Sequence, residues 1–285
     1  MSDTPPSADQ EQSARRRWAD LGPRFASAAV LVPLTCLALY FGGYFFAAVV
    51  GAVFAGAYRE WERMVTLQPL TPFGGVLIGA VALSALVQPA FGPWAGLGVS
   101  ALAALAALVR GGQAAPWRAF GLVFFGLVIV ALVMLRGSGS EGIAAGVFLG
   151  SVIWLTDTGA FFTGRQVGGE RLAPDISPSK TWSGAIGGLA LGVTAGIMLW
   201  IVFTDSPLWI GMLISVVLSI LGQSGDLAES ALKRRFRVKD SGDIIPGHGG
   251  LMDRLDSLTF GVIFLCIVGA MHAGTDAVAR GLLFW

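Results

Sequence analysis

From Phe25 to Tyr58, and again from Met64 to Val109, no residue carries a formal charge. About 20 mostly apolar residues cross a bilayer as one helix. Each stretch is therefore too long for a single span and too apolar to be left in water. Hydrophobic residues make up 54% of the 285-residue chain and charged residues 13%, against roughly 25% charged in a soluble domain. That balance excludes a soluble globular enzyme. The net charge is only +1, so no nucleic-acid partner is expected, and where the charges lie matters more than their sum.

The first stretch is split at Gly42-Gly43 into a tight hairpin, and the second is broken by Gln88, Pro89 and Pro93. Further spans fit Ala119–Leu135, Ile143 to about Phe162, the segment from Lys180 to Thr204, Leu208 to Glu229, and Ser257 to Ala273. The expected fold class is an all-α integral membrane protein, a polytopic bundle of about nine transmembrane helices. With the N-terminus cytosolic, all of the 19 Lys and Arg residues except Arg136 and Arg280 fall on the cytosolic side, the bias expected of cytoplasmic loops. Residues 1–22, polar and carrying Arg15, Arg16 and Arg17, are expected to be a flexible cytosolic tail. Residues 23–285 form the membrane domain, with cytosolic loops at 163–181 and 230–256. Gly184, Gly188, Gly192 and Gly196 recur at steps of four, a spacing that lets helix backbones approach closely. Cys36 and Cys266 sit in apolar runs without metal-ligand spacing and are expected to act as small core hydrophobes.

Charge is concentrated between Ser230 and Asp256, SALKRRFRVKDSGDIIPGHGGLMDRLD. Charge at a membrane is costly to keep and usually functional. On a helix, Asp226, Glu229, Ser230 and Lys233 share one face. Ion pairing of Asp226 with Lys233 or Arg234 would be the plain structural explanation. A second acidic pair, Asp253 and Asp256, again three apart, opens the last long span. Two helix ends bearing carboxylates can converge on Mg²⁺, which prefers oxygen ligands and completes its shell with water and phosphate. Zinc fits poorly, since no cysteine is near and His272 lies at the far end of its span.

Lys233, Arg234 and Lys239, interleaved with acids, suit phosphate neutralisation. Arg235 and Arg237 serve anionic lipid equally well. Pro246-Gly247-His248-Gly249-Gly250 is a turn whose amides can approach an anion, followed at once by Asp253 and Arg254. In the other loop Asp157 needs a partner near a span's end, Ser177 or Ser179 is expected to cap the next helix, and Lys180 is the only lysine before Lys233.

Taken together these residues resemble the phosphatidate cytidylyltransferases, also called CDP-diacylglycerol synthases. Their signature reads approximately S-x-x-K-R, four residues, K-D, then P-G-H-G-G-x-x-D-R-x-D. Ser230, Lys233, Arg234, Lys239, Asp240, Pro246, Gly247, His248, Gly249, Gly250, Asp253, Arg254 and Asp256 occupy its positions here. The likeness extends to Asp157–Phe161 and Ser177–Trp182 and covers residues 24–285. Ser179 and Ser183 depart from the Lys and Glu that the family often carries.

The resemblance implies that CTP and phosphatidic acid give CDP-diacylglycerol and pyrophosphate at a bacterial inner membrane, on its cytosolic face. It implies Asp226, Asp253, Lys233 and Lys239 as catalytic residues, and Asp226, Asp253 and Asp256 as ligands of Mg²⁺. Ser177, Lys180, Ser230, Arg234, His248, Gly249, Gly250 and Arg254 would bind substrate, with His248 a phosphate donor or loop organiser rather than a base. A dinuclear metal centre and a homodimer stay open. So do a CTP-dependent polyprenol or lipid kinase, distinguished by its phosphorylated alcohol product, and a cation-coupled transporter, which would carry polar residues towards the outer face. A CDP-alcohol phosphotransferase would need a D-G-x-x-A-R motif that is missing.

Overall fold

The computed structural model describes residues 29–110, 112–242, 244 and 249–285. The expected N-terminal tail lies outside the described residues, as do Pro246, Gly247 and His248 of the signature.

The uncharged N-terminal stretch folds as α1 (Ala29–Phe41) and α2 (Gly43–Thr66). The break falls at Gly42, whose φ of 62° suits glycine. There the Arg136 guanidinium donates to the carbonyls of Leu39 and Tyr40 at the end of α1, and to those of Gly137 and Gly139. One buried arginine thus satisfies helix-end carbonyls that no intrahelical amide reaches. The second stretch gives α3 (Pro72–Leu86), the single turn α4 (Gln88–Phe91) and α5 (Pro93–Val109), and the break coincides with Gln88, Pro89 and Pro93.

Then follow α6 (Ala115–Arg136), α7 (Ser140–Val167), α8 (Trp182–Phe203), α9 (Leu208–Arg235) and α10 (Asp256–Ala273). A short α11 (Val278–Leu283) ends the chain. Helices α6 to α10 are long and apolar enough to cross a membrane, and α1, α3 and α5 are shorter apolar helices. Their outer faces carry exposed Leu102, Ile186, Ile201, Val202 and Met271, a surface that hydrocarbon solvates well. This is a multi-pass membrane protein.

The loop expected at 163–181 is more ordered than its composition suggests. Arg171–Ala173 (β1) pairs antiparallel with Ser177–Thr181 (β2). The expected serine cap is also corrected. Ser177 and Ser179 lie in β2, and it is Thr181 whose hydroxyl accepts from the Gly184 amide to cap α8. Extended backbone at Thr181 places its oxygen over the first free amides of the helix, a position that residues two and four earlier in a strand cannot reach. Cys36 is exposed rather than in the core.

Helices α7 and α8 form the most extensive pairing among the described helices. A Cβ on Gly188 would stand 2.6 Å from the Thr156 carbonyl oxygen, and one on Gly192 2.1 Å from the Thr156 hydroxyl. The same rule holds between α9 and α10, where a Cβ on Gly225 would lie 2.4 Å from the Asp256 carbonyl oxygen. These contacts bring Asp157, Asp226 and Asp256, from three helices, to one end of the bundle. Gly188→Ala is expected to cost about 1–3 kcal/mol because a backbone carbonyl cannot move aside. Gly79→Ala, with open space around it, is expected to be neutral. Thermal unfolding of both variants in detergent measures the difference.

Candidate active site

At 28 residues, α9 is about 42 Å long at 1.5 Å per residue. It outlasts a hydrocarbon core of about 30 Å, so its final turns, bearing Asp226, Glu229, Ser230, Lys233 and Arg234, reach the interface. Lys180 arrives on β2 and forms an ion pair with Asp226. Lys233 instead donates to Asp253 Oδ1 at 2.6 Å and stands 3.6 Å from Glu229 Oε2. The pairing of Asp226 with Lys233 or Arg234 is therefore replaced by one between different segments of the chain. Arg234, exposed, turns its Nε to the Ile176 carbonyl at 3.4 Å and so tethers the hairpin.

Asp253 lies in a 3-10 turn, Met252–Arg254, just ahead of α10. Its Oδ2 accepts from the amides of Ser241 (3.3 Å) and Gly250 (3.1 Å). Burial alone would push this carboxyl up, but the hydrogen bond of Lys233, the neighbouring Glu229 carboxyl, the Lys233 charge and Ser241 outweigh it and hold the pKa at about 2. Asp256 opens α10, where an anion suits the helix N-terminus, and its Oδ1 accepts from the Ser257 amide at 2.7 Å. Asp256 and Asp157 both lie within electrostatic reach of Asp226 and of Lys180. Glu229 is buried, and neither of its carboxylate oxygens has a hydrogen-bond partner.

The structure thus gathers Asp226, Lys180, Lys233, Asp253, Asp256 and Gly250. Ser230 is half-buried on α9, and Ser177 half-buried at the start of β2. Gly249 takes a φ of 79°, and Arg254 is exposed at the end of its turn. Lys239 is not brought in. It is exposed beyond α9 and forms no ion pair among the described residues. Ser183 donates to the Gly168 carbonyl and exchanges a hydrogen bond of 3.0 Å with Thr181, so it joins the end of α7 to the start of α8.

Two acids on α2 went unread in the sequence. Glu62 is gripped by Arg118, whose Nη2 donates at 2.6 Å and Nε at 3.1 Å. Glu60 accepts from the Leu251 amide (3.0 Å), the Met252 amide (2.9 Å) and the Ser241 hydroxyl (3.2 Å). The available signal was a pair of carboxylates at the end of an apolar run, each of which needs a partner.

The acids separate two cavities. The more polar one, of about 820 Å³, sets Asp157, Arg165, Arg171, Lys180 and Asp226 among apolar neighbours such as Phe161 and Leu172. An apolar one of about 480 Å³ is lined by Trp61, Phe120, Phe124, Phe260, Glu229 and Asp256, with Arg235. Both volumes fall within the roughly 300–1,000 Å³ of small-molecule sites.

Among the described residues no three Asp, Glu, His or Cys side chains surround one point. The donors at hand are all oxygens, and Glu229 holds two buried ones without a hydrogen bond, one of them 3.6 Å from Lys233. This suits Mg²⁺, which binds through one or two carboxylates and fills its shell with water and phosphate.

Fold and site together define a multi-pass membrane protein with a carboxylate–lysine centre between a polar and an apolar cavity. The chain belongs to the cytidylyltransferase family, which it matches over residues 23–272. It is 36% identical over 266 residues to a phosphatidate cytidylyltransferase of Brucella melitensis biotype 1, covering 90% of this chain and 96% of that protein. A protein of the same name from Brucella abortus biovar 1 is 35% identical over 269 residues, 91% of this chain and 97% of the other. One from Staphylococcus saprophyticus is 45% identical over 144 residues, half of this chain and 55% of the relative.

The Asp253 pKa gives a signed prediction. A folded value of about 2 lies below the unfolded value of about 3.9, so the unfolded chain binds more protons between them. Its contribution is complete above about pH 4 and is lost as pH falls through 2. Between pH 6 and pH 3 the unfolding midpoint in denaturant should fall more steeply for the wild type than for Asp253→Asn.

Proposed function

We infer that this chain acts as a phosphatidate cytidylyltransferase, a nucleotidyltransferase of phospholipid biosynthesis that joins CTP to phosphatidic acid with release of pyrophosphate. The observation that carries this reading is the acid–lysine cluster standing between a polar and an apolar cavity, in a chain that matches relatives of that name along nearly their whole length. A nucleotide needs a polar chamber and a diacyl lipid an apolar one, and their phosphates must meet between the two.

In the reaction a phosphate oxygen of the lipid bonds to the α-phosphorus of CTP, in line with the bond to the β-phosphate. That bond breaks, and its electron pair leaves on pyrophosphate. The lipid phosphate is ionised near neutral pH, so the site needs no strong base. What it needs is to hold two polyanions together and meet the charge that shifts to the leaving group. Lys180 and Lys233 each hold a carboxylate and are long enough to turn from it to a phosphate. The Gly249 amide, Ser177, Ser230, Arg234 and Arg254 are assigned to the same phosphates. The Gly250 amide is engaged by Asp253 and would reach a phosphate only on release, and His248, assigned with them from the signature, lies outside the described residues.

Asp226, Asp253 and Asp256 are the residues that would hold Mg²⁺, with Lys233 and the loop amides fixing Asp253. A cation held there would supply Lewis-acid polarisation of phosphoryl oxygens and a template for alignment. The exposure of Lys239 argues for a role in drawing CTP towards the face rather than in the chemistry.

The site faces the cytosol, with about nine spans and the N-terminus on the same side. The burial of Arg136 against four carbonyls supports this orientation, since one of the two exceptions to the charge bias is then a structural fastener.

Purified protein given CTP, phosphatidic acid and Mg²⁺ is expected to form CDP-diacylglycerol and pyrophosphate one to one. Lys233→Ala and Asp226→Asn should each lower the rate by about 10²–10³-fold. A phosphorylated alcohol with CDP as co-product would contradict the assignment.

A further inference from the structure

Glu60 lies on α2, far in sequence from the signature, and its exposure is only 2%. An ionised carboxylate buried at this depth is tolerated only if it is fully answered. Its partners are not on neighbouring helices. They are the Ser241 hydroxyl on one side of the signature turn and the Leu251 and Met252 amides on the other. The chain enters and leaves the turn on the same carboxylate.

The adjoining glycines fit this arrangement. A Cβ on Gly242 would stand 2.5 Å from Glu60 Oε1, and one on Gly250 3.0 Å from Oε2 and 1.9 Å from the Ser241 hydroxyl. Ser241 is shared: its hydroxyl goes to Glu60 and its amide to Asp253 Oδ2. Through Ser241 and the 3-10 turn, the position of Glu60 is passed to Asp253 and so to Lys233.

We propose that Glu60 is a positioning residue of the cytidylyl transfer: it fixes both ends of the signature turn, and with them Asp253 and the Gly250 amide, in the geometry the reaction requires. The proposal rests on the functional reading above. Glu62, two residues along and turned to Arg118, is the contrasting case, a fastener between α2 and α6 with no hydrogen bond to the described residues of the turn.

The test compares Glu60→Gln, Ser241→Ala and Glu62→Gln in the full-length protein in detergent. Glutamine keeps the size of Glu60 but sets an NH₂ against donors it should accept from. Glu60→Gln is expected to lower kcat about 10–100-fold, the range for residues that orient ligands from behind, with KM for phosphatidic acid within about 2-fold of wild type. Ser241→Ala, which removes one of three bonds, should lower kcat only a few-fold. Glu62→Gln should lower the thermal midpoint and leave kcat per folded molecule unchanged.

Hydrogen exchange at Leu251 and Met252 should accelerate in Glu60→Gln and not in Glu62→Gln. That readout needs no turnover. If the wild type makes no CDP-diacylglycerol, the functional reading fails, while faster exchange would still show the anchoring. A kcat for Glu60→Gln within 2-fold of wild type would overturn the proposal. So would a Glu60→Gln that loses only stability, as Glu62→Gln does.

Discussion

An ionised carboxylate in an apolar bundle must be met by a cation or by several hydrogen-bond donors, and that requirement organises the polar end of this molecule. Glu62 meets Arg118, Asp226 meets Lys180, and Asp253 meets Lys233 and two amides. Glu60 meets two amides and a hydroxyl. In each case the partner lies on another element: α6, the hairpin, α9 or the signature turn. Apolar packing settles which helices lie side by side, but it is indifferent to how the intervening polar segments are draped. The carboxylates make that choice. Removing one partner of such a pair leaves an uncompensated charge, which costs more than the pair contributes when intact.

The same chemistry that fixes the polar segments equips them for phosphate transfer. A lysine held by an aspartate is ordered and charged, close to where a polyanion would enter. Glycines allow the acids to come together, since α7 against α8 and α10 against α9 approach at distances a Cβ would forbid. Asp226 and Lys180 of the cluster line one chamber, which carries charged side chains, and Glu229 and Asp256 line the other, which is aromatic. A family of cytidylyltransferases working on a lipid substrate needs that juxtaposition more than it needs any single strong acid or base.

Much of this was legible in the sequence. Breaks at Gly42 and around Pro89 and Pro93 punctuate the uncharged stretches, because chain reversal at a membrane surface needs residues that abandon the helix. The glycine ladder of α8 announced its packing, and the signature announced the chemistry. What escaped was long-range or conditional. The hairpin 171–181 is short, polar and poor in β-formers, so its pairing is imposed by its surroundings. Thr181 rather than Ser177 or Ser179 caps α8, because capping depends on where the strand ends. The partner of Asp226 is Lys180 and not Lys233 or Arg234, since those stand two turns further along the same helix, about 11 Å of rise away, while Lys180 arrives from another segment. Glu60 was silent because two of its three partners are backbone amides, which carry no residue identity, and the third, Ser241, is 181 residues away.

We propose that the acids of α9 and α10 and of the turn between them supply the carboxylates of one cation site, two at a time sufficing for an ion that completes its shell with water and phosphate. Its most direct test is crystallographic: the purified protein with Mn²⁺ in place of Mg²⁺ and a non-hydrolysable CTP analogue, with anomalous scattering recorded at the manganese edge. The account predicts a peak on one or two of Asp226, Asp253 and Asp256, with the triphosphate beside Lys180 and Lys233. A peak away from these carboxylates, or a triphosphate bound without one, would contradict it.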